Sequence, residues 1–441
     1  MLFHNPVFLF IFLPIVLLLY YYASKYSKFA HEYFLVVAGF FFYAWWNIYL
    51  SPLIIISIIV NFYFGNLIKN NLEKNSKKII LMISIFLNIL FLAIFKYADF
   101  VIENINYLFN VNLDLLNLPF PLAISFFTFQ TIAYLVDCYN GIIEKKTRLS
   151  QFSLFVIFFP QLIAGPIVKY NHMMAQFDEK NNRLINQQNF YLGLVIILIG
   201  LFKKVILADN LTIFVENGFS NSENIEFYAS WLTSLSFTFQ IYFDFSGYVD
   251  MATGIALLFN IRLPTNFNSP YKATSIINFW QKWHITLANF LTNYIYYPWV
   301  KSLKEANFFK IMTIIFCVFL IAGMWHGPSW LFLIFGALHG LGLITNHIFR
   351  KLFDFKLNKY IACFFTFQYV NLTFIFFRSS NLENSISIIK GMMGLNGFES
   401  INYFDDKIFI GTILLVAIII CYSFKNTNYL IEKFQLDKKN I

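Results

Sequence analysis

Between Ile311 and Phe349 the chain runs for 39 residues without one Asp, Glu, Lys or Arg. As a single helix this stretch would reach ~58 Å at ~1.5 Å per residue, about twice the ~30 Å hydrocarbon core of a bilayer. It must therefore turn, and Gly327-Pro328 supplies the break. Lys310 and Arg350 bracket it, which places both ends on the cytoplasmic side of a membrane.

The rest of the sequence is of the same kind. Of 441 residues, 59% are hydrophobic and only 12% charged, about half the ~25% charge of a soluble domain. That scarcity excludes disorder, a fibrous repeat, a disulfide-stapled scaffold and an ordinary cytosolic enzyme. The net charge of +9 lies in short clusters between apolar runs. This is the pattern of cytoplasmic loops facing anionic lipid rather than of a nucleic-acid surface. Cys138, Cys317, Cys363 and Cys421 show no C-x-x-C or Cys/His spacing, so they read as buried membrane thiols and no metal site is expected. The 58 Phe residues read as lipid-facing bulk.

Met1–Tyr22 is apolar and followed by Lys25 and Lys28, the polarity of an uncleaved first span with its N-terminus outside. Segments over about 32–46, 51–68 and 79–95 follow, the third ending at Lys96. Pro119–Gly141 carries Pro119, Pro121, Thr128, Gln130 and Asp137, which predicts a broken or re-entrant piece lining a cavity. After Lys145, Lys146 and Arg148, the stretch 152–168 is again apolar, and 171–188 reads as a surface loop. Residues 190–207 and 227–259 add two or three segments, 279–300 is interfacial, and 360–377 and 408–424 complete the set. The fold class is an all-α polytopic membrane protein of roughly ten to twelve membrane segments, re-entrant pieces included. It reads as one domain over residues 1–441 with no internal repeat.

Polar groups at membrane depth are costly and each needs a reason. His326 precedes the Gly-Pro break, where irregular backbone implies a cavity, and it is the leading functional candidate. His339 supports a structural and a functional reading equally, as does His284 in its aromatic run Phe279–His284. Unbroken helix would put His326 and His339 ~20 Å apart, and a reversal at Gly327-Pro328 would shorten this. Asp244 and Asp250 flank Ser246-Gly247. Asp244 reads more readily as structural, with no evident intramembrane cation partner. Phosphate-binding, dinucleotide and G-x-S-x-G motifs are absent. An imidazole in a dry cavity suits direct acyl transfer, as a general base toward an acceptor hydroxyl attacking an activated acyl group.

Eight motifs occur in order: Phe42-Tyr43-Ala44-Trp45-Trp46-Asn47, Pro121 to Gln130, Phe159 to Ile167, Phe243 to Tyr248, Asn266 to Tyr271, Phe279-Trp280 through Trp283-His284, Gly323-Met324-Trp325-His326-Gly327, and Phe376-Phe377-Arg378. Together they resemble the membrane-bound O-acyltransferase (MBOAT) family over about residues 30–395. The likeness is greatest to its bacterial branch of alginate and peptidoglycan O-acetyltransferases. The pattern departs where Gln281-Lys282 replaces the family's Arg-Arg, which removes a bidentate guanidinium fork. The region after about residue 395 is also short beside the alginate enzymes.

The resemblance implies a ring of tilted helices around a central funnel or tunnel, with His326 catalytic and His284 the second functional residue. His339, Trp325, Trp283, Asp244 and Gln130 are then supporting or tunnel-lining. It implies an acyl thioester such as acetyl-CoA as cytoplasmic donor substrate, with no bound cofactor and no metal. The partners would be a periplasmic or extracellular SGNH-type protein that receives the acetyl group, the acceptor polysaccharide and membrane lipid. The location would be the bacterial cytoplasmic (inner) membrane. The competing readings are D-alanyl transfer to teichoic acid by the sibling branch, a glycan-lipid transporter, and a scaffold in which His326 and His284 are dispensable.

Overall fold

The computed structural model describes residues 2–27, 29–71, 73–144, 146–353, 357–398 and 407–436. Lys28 and Lys145, two of the cations counted toward the cytoplasmic loops, lie outside them. Among the described residues the regular structure is entirely helical. Seven helices are long and apolar enough to cross a membrane: Ser51–Asn70, Lys74–Phe109, Gln187–Ser220, Phe308–His326, Trp330–Leu352, Lys359–Arg378 and Ile408–Phe434. The remaining apolar segments are shorter helices, among them Phe8–Ala23 and Ala30–Ala44. The chain is a multi-pass membrane protein. Phe227–Leu258 is one unbroken helix of 32 residues. Ser230, Thr233, Ser234 and Thr238 are buried along it, so hydropathy understates how deeply it sits.

Two compact units partition the chain, one formed by residues 1–198 and 249–264 and the other by 199–248 and 265–441. In the first, a reciprocal amide pair fastens the helix Ser51–Asn70 to Lys74–Phe109: Asn61 Nδ2 donates to Asn88 Oδ1 at 3.1 Å, and Asn88 Nδ2 to Asn61 Oδ1 at 2.6 Å. Thr131 Oγ1 adds the helix Ile124–Tyr139 at 3.2 Å. Hydrogen bonds between helices satisfy polar groups that lipid cannot. The phenylalanines depart from expectation here. Phe8, Phe42, Phe159 and Phe259 are fully buried and pack ring to ring at 5.6–6.1 Å, so many of the 58 build the interior rather than face lipid. The expected loop over 171–188 is instead the helix Tyr170–Asp178 and a 3-10 turn Lys180–Arg183. Tyr170, Met173, Met174 and Phe177 form a buried stripe at helical spacing, which the polar residues between them mask.

In the second unit the 39-residue uncharged stretch forms a helical hairpin. Phe308–His326 is capped by Asn307, whose side chain accepts from Lys310 N. The chain reverses over Gly327, Pro328 and Ser329. Ser329 then caps Trp330–Leu352 by accepting from Leu331 N. The two helices touch backbone to backbone. A Cβ on Gly323 would stand 2.2 Å from the Phe332 carbonyl oxygen, and one on Gly336 2.3 Å from that of Phe319. Small residues let membrane helices approach this closely. The helix Lys359–Arg378 packs beside the hairpin: Tyr369 Oη donates to Leu338 O at 2.6 Å.

Candidate active site

The hairpin decides where the histidines fall. His326 is the last residue of one helix, and His339 lies on the next. The Phe335 ring stands 5.7 Å from His326 and 4.6 Å from His339, so the expected reversal does bring the two close. His326 is half-buried in an aromatic cage. Its ring centroid lies 5.0 Å from Phe377, 5.1 Å from Trp325 and 6.3 Å from Phe332. The buried Trp325 also stands 5.9 Å from His284 and so touches both candidate catalytic rings.

His284 reaches this cage on a loop that strains to present it. Its backbone is left-handed, with φ 41° and ψ 52°, a conformation costing a non-glycine residue ~1–2 kcal/mol. Asn266 holds it there. Ile285 N donates to Asn266 O at 2.9 Å, and Thr286 N and Oγ1 donate to Asn266 Oδ1 at 3.2 and 2.9 Å. His284 Nδ1 lies 3.1 Å from the same oxygen. That oxygen has only lone pairs to offer, so Nδ1 carries the proton. In the neutral ring Nε2 then holds a bare lone pair, and it is buried with no hydrogen-bond partner among the described residues. Burial first, and the neighbouring His326 second, push the His284 pKa down to about 3. The ring is therefore neutral at physiological pH, an acceptor waiting for a donor.

His339 is arranged differently. Trp280 Nε1 donates to its Nδ1 at 3.2 Å, which leaves the proton on Nε2, 3.0 Å from Thr373 Oγ1. Thr373 passes its own hydrogen to Val370 O at 2.8 Å. Both ring nitrogens are committed, as in a residue that fixes packing. Trp283 is buried against Phe279 (5.5 Å, nearly parallel), Phe267 (5.1 Å) and Phe374 (5.4 Å) and anchors the loop that carries His284.

Asp244 requires a correction. It has a cation partner: Lys204 Nζ lies 2.7 Å from its Oδ1 and 2.8 Å from Asp209 Oδ1. The sequence hides this because the two residues are 40 positions apart on different helices. The next residue, Phe245, turns toward His284 at 4.8 Å, so the Phe-Asp-Phe motif splits between an ion pair and the ring cage. Gln130 belongs to the first unit. Its Nε2 donates to Phe155 O at 2.7 Å, and Gln161 donates to the same carbonyl. Among the described residues no cluster of three or more His, Cys, Asp or Glu could hold a metal ion. Sequence alone does not single out Asn266, Trp280 or Thr373. Asn266 and Trp280 stand inside quoted motifs, but only the fold shows that they set two imidazole tautomers.

Comparison of the sequence with known proteins gives the family. Residues 7–385 match the model of MBOAT, the membrane-bound O-acyltransferase family. The chain is 42% identical to the peptidoglycan O-acetyltransferase of Helicobacter pylori, covering 99% of this chain and 92% of that one. It is 33% identical to a probable alginate O-acetylase of Azotobacter vinelandii, over 87% and 76% of the two chains. Identity to the teichoic acid D-alanyltransferase of Bacillus subtilis is 26%, over 53% and 61%.

Proposed function

The chain belongs to the membrane-bound O-acyltransferase family and is an acyltransferase, and from that premise we propose that it moves acetyl groups across the bacterial cytoplasmic membrane for O-acetylation of peptidoglycan. The observation that carries the choice of polymer is the 42% identity, across almost the whole of both chains, to the peptidoglycan enzyme. The teichoic acid relative matches only 53% of this chain, so D-alanyl transfer is the weaker reading.

The donor is a cytoplasmic thioester such as acetyl-CoA, and the first acceptor is a hydroxyl on an SGNH-type partner outside. His326 takes the proton from that hydroxyl. The oxygen attacks the thioester carbonyl, the C–S bond breaks, and the leaving thiolate recovers the proton from the His326 imidazolium. His284 presents only an acceptor at Nε2. Its role is to hold a proton-bearing partner, either the incoming hydroxyl or the imidazolium formed on His326. The aromatic cage keeps water out, so that the thioester is not lost to hydrolysis.

The test is complementation of a deletion strain with wild type, His326→Ala and His284→Ala, scoring acetyl and D-alanyl esters on purified wall polymers. Loss of acetylated muropeptides in both variants at equal protein level supports the assignment. Retained acetylation in His326→Ala removes the general base. Loss of D-alanyl esters instead moves the chain to the sibling activity. Thioester consumption by purified protein given acetyl-CoA and the partner checks the donor.

A further inference from the structure

The rings around His326 limit the size of the group it can help to transfer. A general base stands ~2.6–3.2 Å from the oxygen whose proton it takes, and that oxygen attacks from ~3–3.5 Å. The acyl carbon therefore lies within about 6–7 Å of the base nitrogen at transfer. The rings of Phe377, Trp325, Phe335 and Phe332 stand 5.0, 5.1, 5.7 and 6.3 Å from the His326 ring, centroid to centroid. They occupy the same shell, so the tail of the acyl group ends against one of them.

Three of these walls are backed by further rings. Phe335 packs on His339 at 4.6 Å and lies parallel to Phe374 at 6.1 Å. Phe377 meets Phe335 at 5.1 Å and Phe237 at 6.3 Å. Trp325 is buried and reaches His284 at 5.9 Å. A longer acyl group pushed toward these meets close-packed interior, which yields little. Phe332 is placed differently. It is half-buried and lies in the first turn of the helix Trp330–Leu352. Its ring folds back over the reversal, tilted 29° to the His326 ring and edge-on to Phe377 at 5.0 Å. Gly327 makes room for it: a Cβ there would stand 2.3 Å from Phe332 Cε2 and 2.7 Å from Cδ2. The φ of Gly327 is −174°, extended backbone open to any residue. Its bare Cα therefore serves the Phe332 ring rather than the turn.

We propose that Phe332, seated on Gly327, is the specificity-determining wall of the acyl site. It holds the room beside His326 to an acetyl group and excludes longer straight-chain acyl groups. This rests on the reading of His326 as the general base of acetyl transfer. Of the four rings, Phe332 is the one whose truncation opens space toward the half-buried turn instead of into packed interior. One methylene too many in an apolar pocket changes transfer ~10–200-fold, enough for a single ring to decide the choice of donor.

The experiment uses the full-length protein in mild detergent with its SGNH-type partner. Acetyl-, propionyl- and butyryl-CoA are offered in one mixture, and the acyl groups on the partner are read by mass spectrometry. Because the products compete within one reaction, their ratio does not depend on how much of a variant is folded. Wild type should favour acetyl over propionyl ~10–200-fold. Phe332→Leu and Phe332→Ala should lower that ratio several-fold or more, alanine further than leucine. Gly327→Ala keeps the phenylalanine but displaces its ring, so it should move the ratio the same way. A general loosening of the fold would lower all products together. Variants that transfer with the wild-type ratio overturn the role of Phe332 and leave acetyl transfer standing, as does a wild type that takes acetyl and propionyl equally. Loss of all transfer in all three variants assigns Phe332 to the integrity of the site and also overturns it. A wild type that transfers none of the three groups overturns the underlying reading, and this one with it.

Discussion

Asn266 Oδ1 accepts from His284 Nδ1 at 3.1 Å and thereby fixes which nitrogen carries the proton in a buried imidazole whose ring stands 5.9 Å from that of Trp325. Asn266→Ala removes the acceptor that holds the proton on Nδ1, and also frees the Thr286 backbone and hydroxyl. Acetyl transfer should fall ~10²-fold or more, the low end of what general acid–base positioning contributes. Asn266→Asp keeps the geometry and adds a negative charge, which stabilises the imidazolium. It should retain more activity than Asn266→Ala and move the acidic limb of the rate profile to higher pH. A rate–pH series on both variants checks this; identical profiles would show that Asn266 acts on packing alone.

The same buried ring makes stability depend on pH. In the unfolded chain an imidazole takes up a proton below about 6.5, whereas folded His284 is held neutral down to about 3. The unfolded state therefore binds more protons across this window. The contribution is whole above pH 6.5 and is lost as pH falls toward 3, at about 1.4 kcal/mol per unit where the difference is one full proton. Thermal unfolding in detergent should show a falling Tm from pH 7 downward, and His284→Gln should flatten part of that slope. An unchanged slope in the variant would put the titrating group elsewhere.

Much of this fold is legible in the order of the residues alone. The uncharged run from Ile311 to Phe349 is too long for one crossing, and it turns at Gly327-Pro328 with His326 at the helix end. What the order of residues hides is long-range. The Lys204–Asp244 pair joins residues that no periodicity links, and the tautomer-setting role of Asn266 needs a loop closing over 18 positions. The helix Tyr170–Asp178 looks like a loop because average polarity outweighs a four-residue buried stripe. Charge scarcity is a local signal, whereas hydrogen-bond pairing across a fold is not.

The hairpin crossing gives a steric test. Gly323→Ala places a methyl 2.2 Å from the Phe332 carbonyl oxygen, and Gly336→Ala places one 2.3 Å from that of Phe319. Both obstacles are backbone, so the helices must separate, at a cost of about 1–3 kcal/mol for overpacking. Because His326 and Phe335 ride on the two helices, activity should drop more than stability in each variant. Gly411→Ala, where a Cβ meets nothing within 4 Å, is the control and should match wild type in Tm and rate. Equal behaviour of all three would mean the hairpin flexes freely at the crossing.

His339 and His326 should separate a packing role from a chemical one. His339→Phe leaves the Trp280 indole N–H and the Thr373 hydroxyl without the imidazole that now pairs with both. An unsatisfied buried polar group costs about 1–3 kcal/mol, so Tm should fall clearly. The reacting groups are untouched, so the rate per folded molecule should stay within about ten-fold of wild type. His326→Ala should do the reverse, with little change in Tm and at least ~10²-fold loss of acyl transfer, as the proposed general-base role requires. His339→Gln, which can still accept from Trp280 and donate to Thr373, should recover part of the lost stability. A His339→Phe protein that is fully stable yet inactive would move His339 into the chemistry and break the distinction.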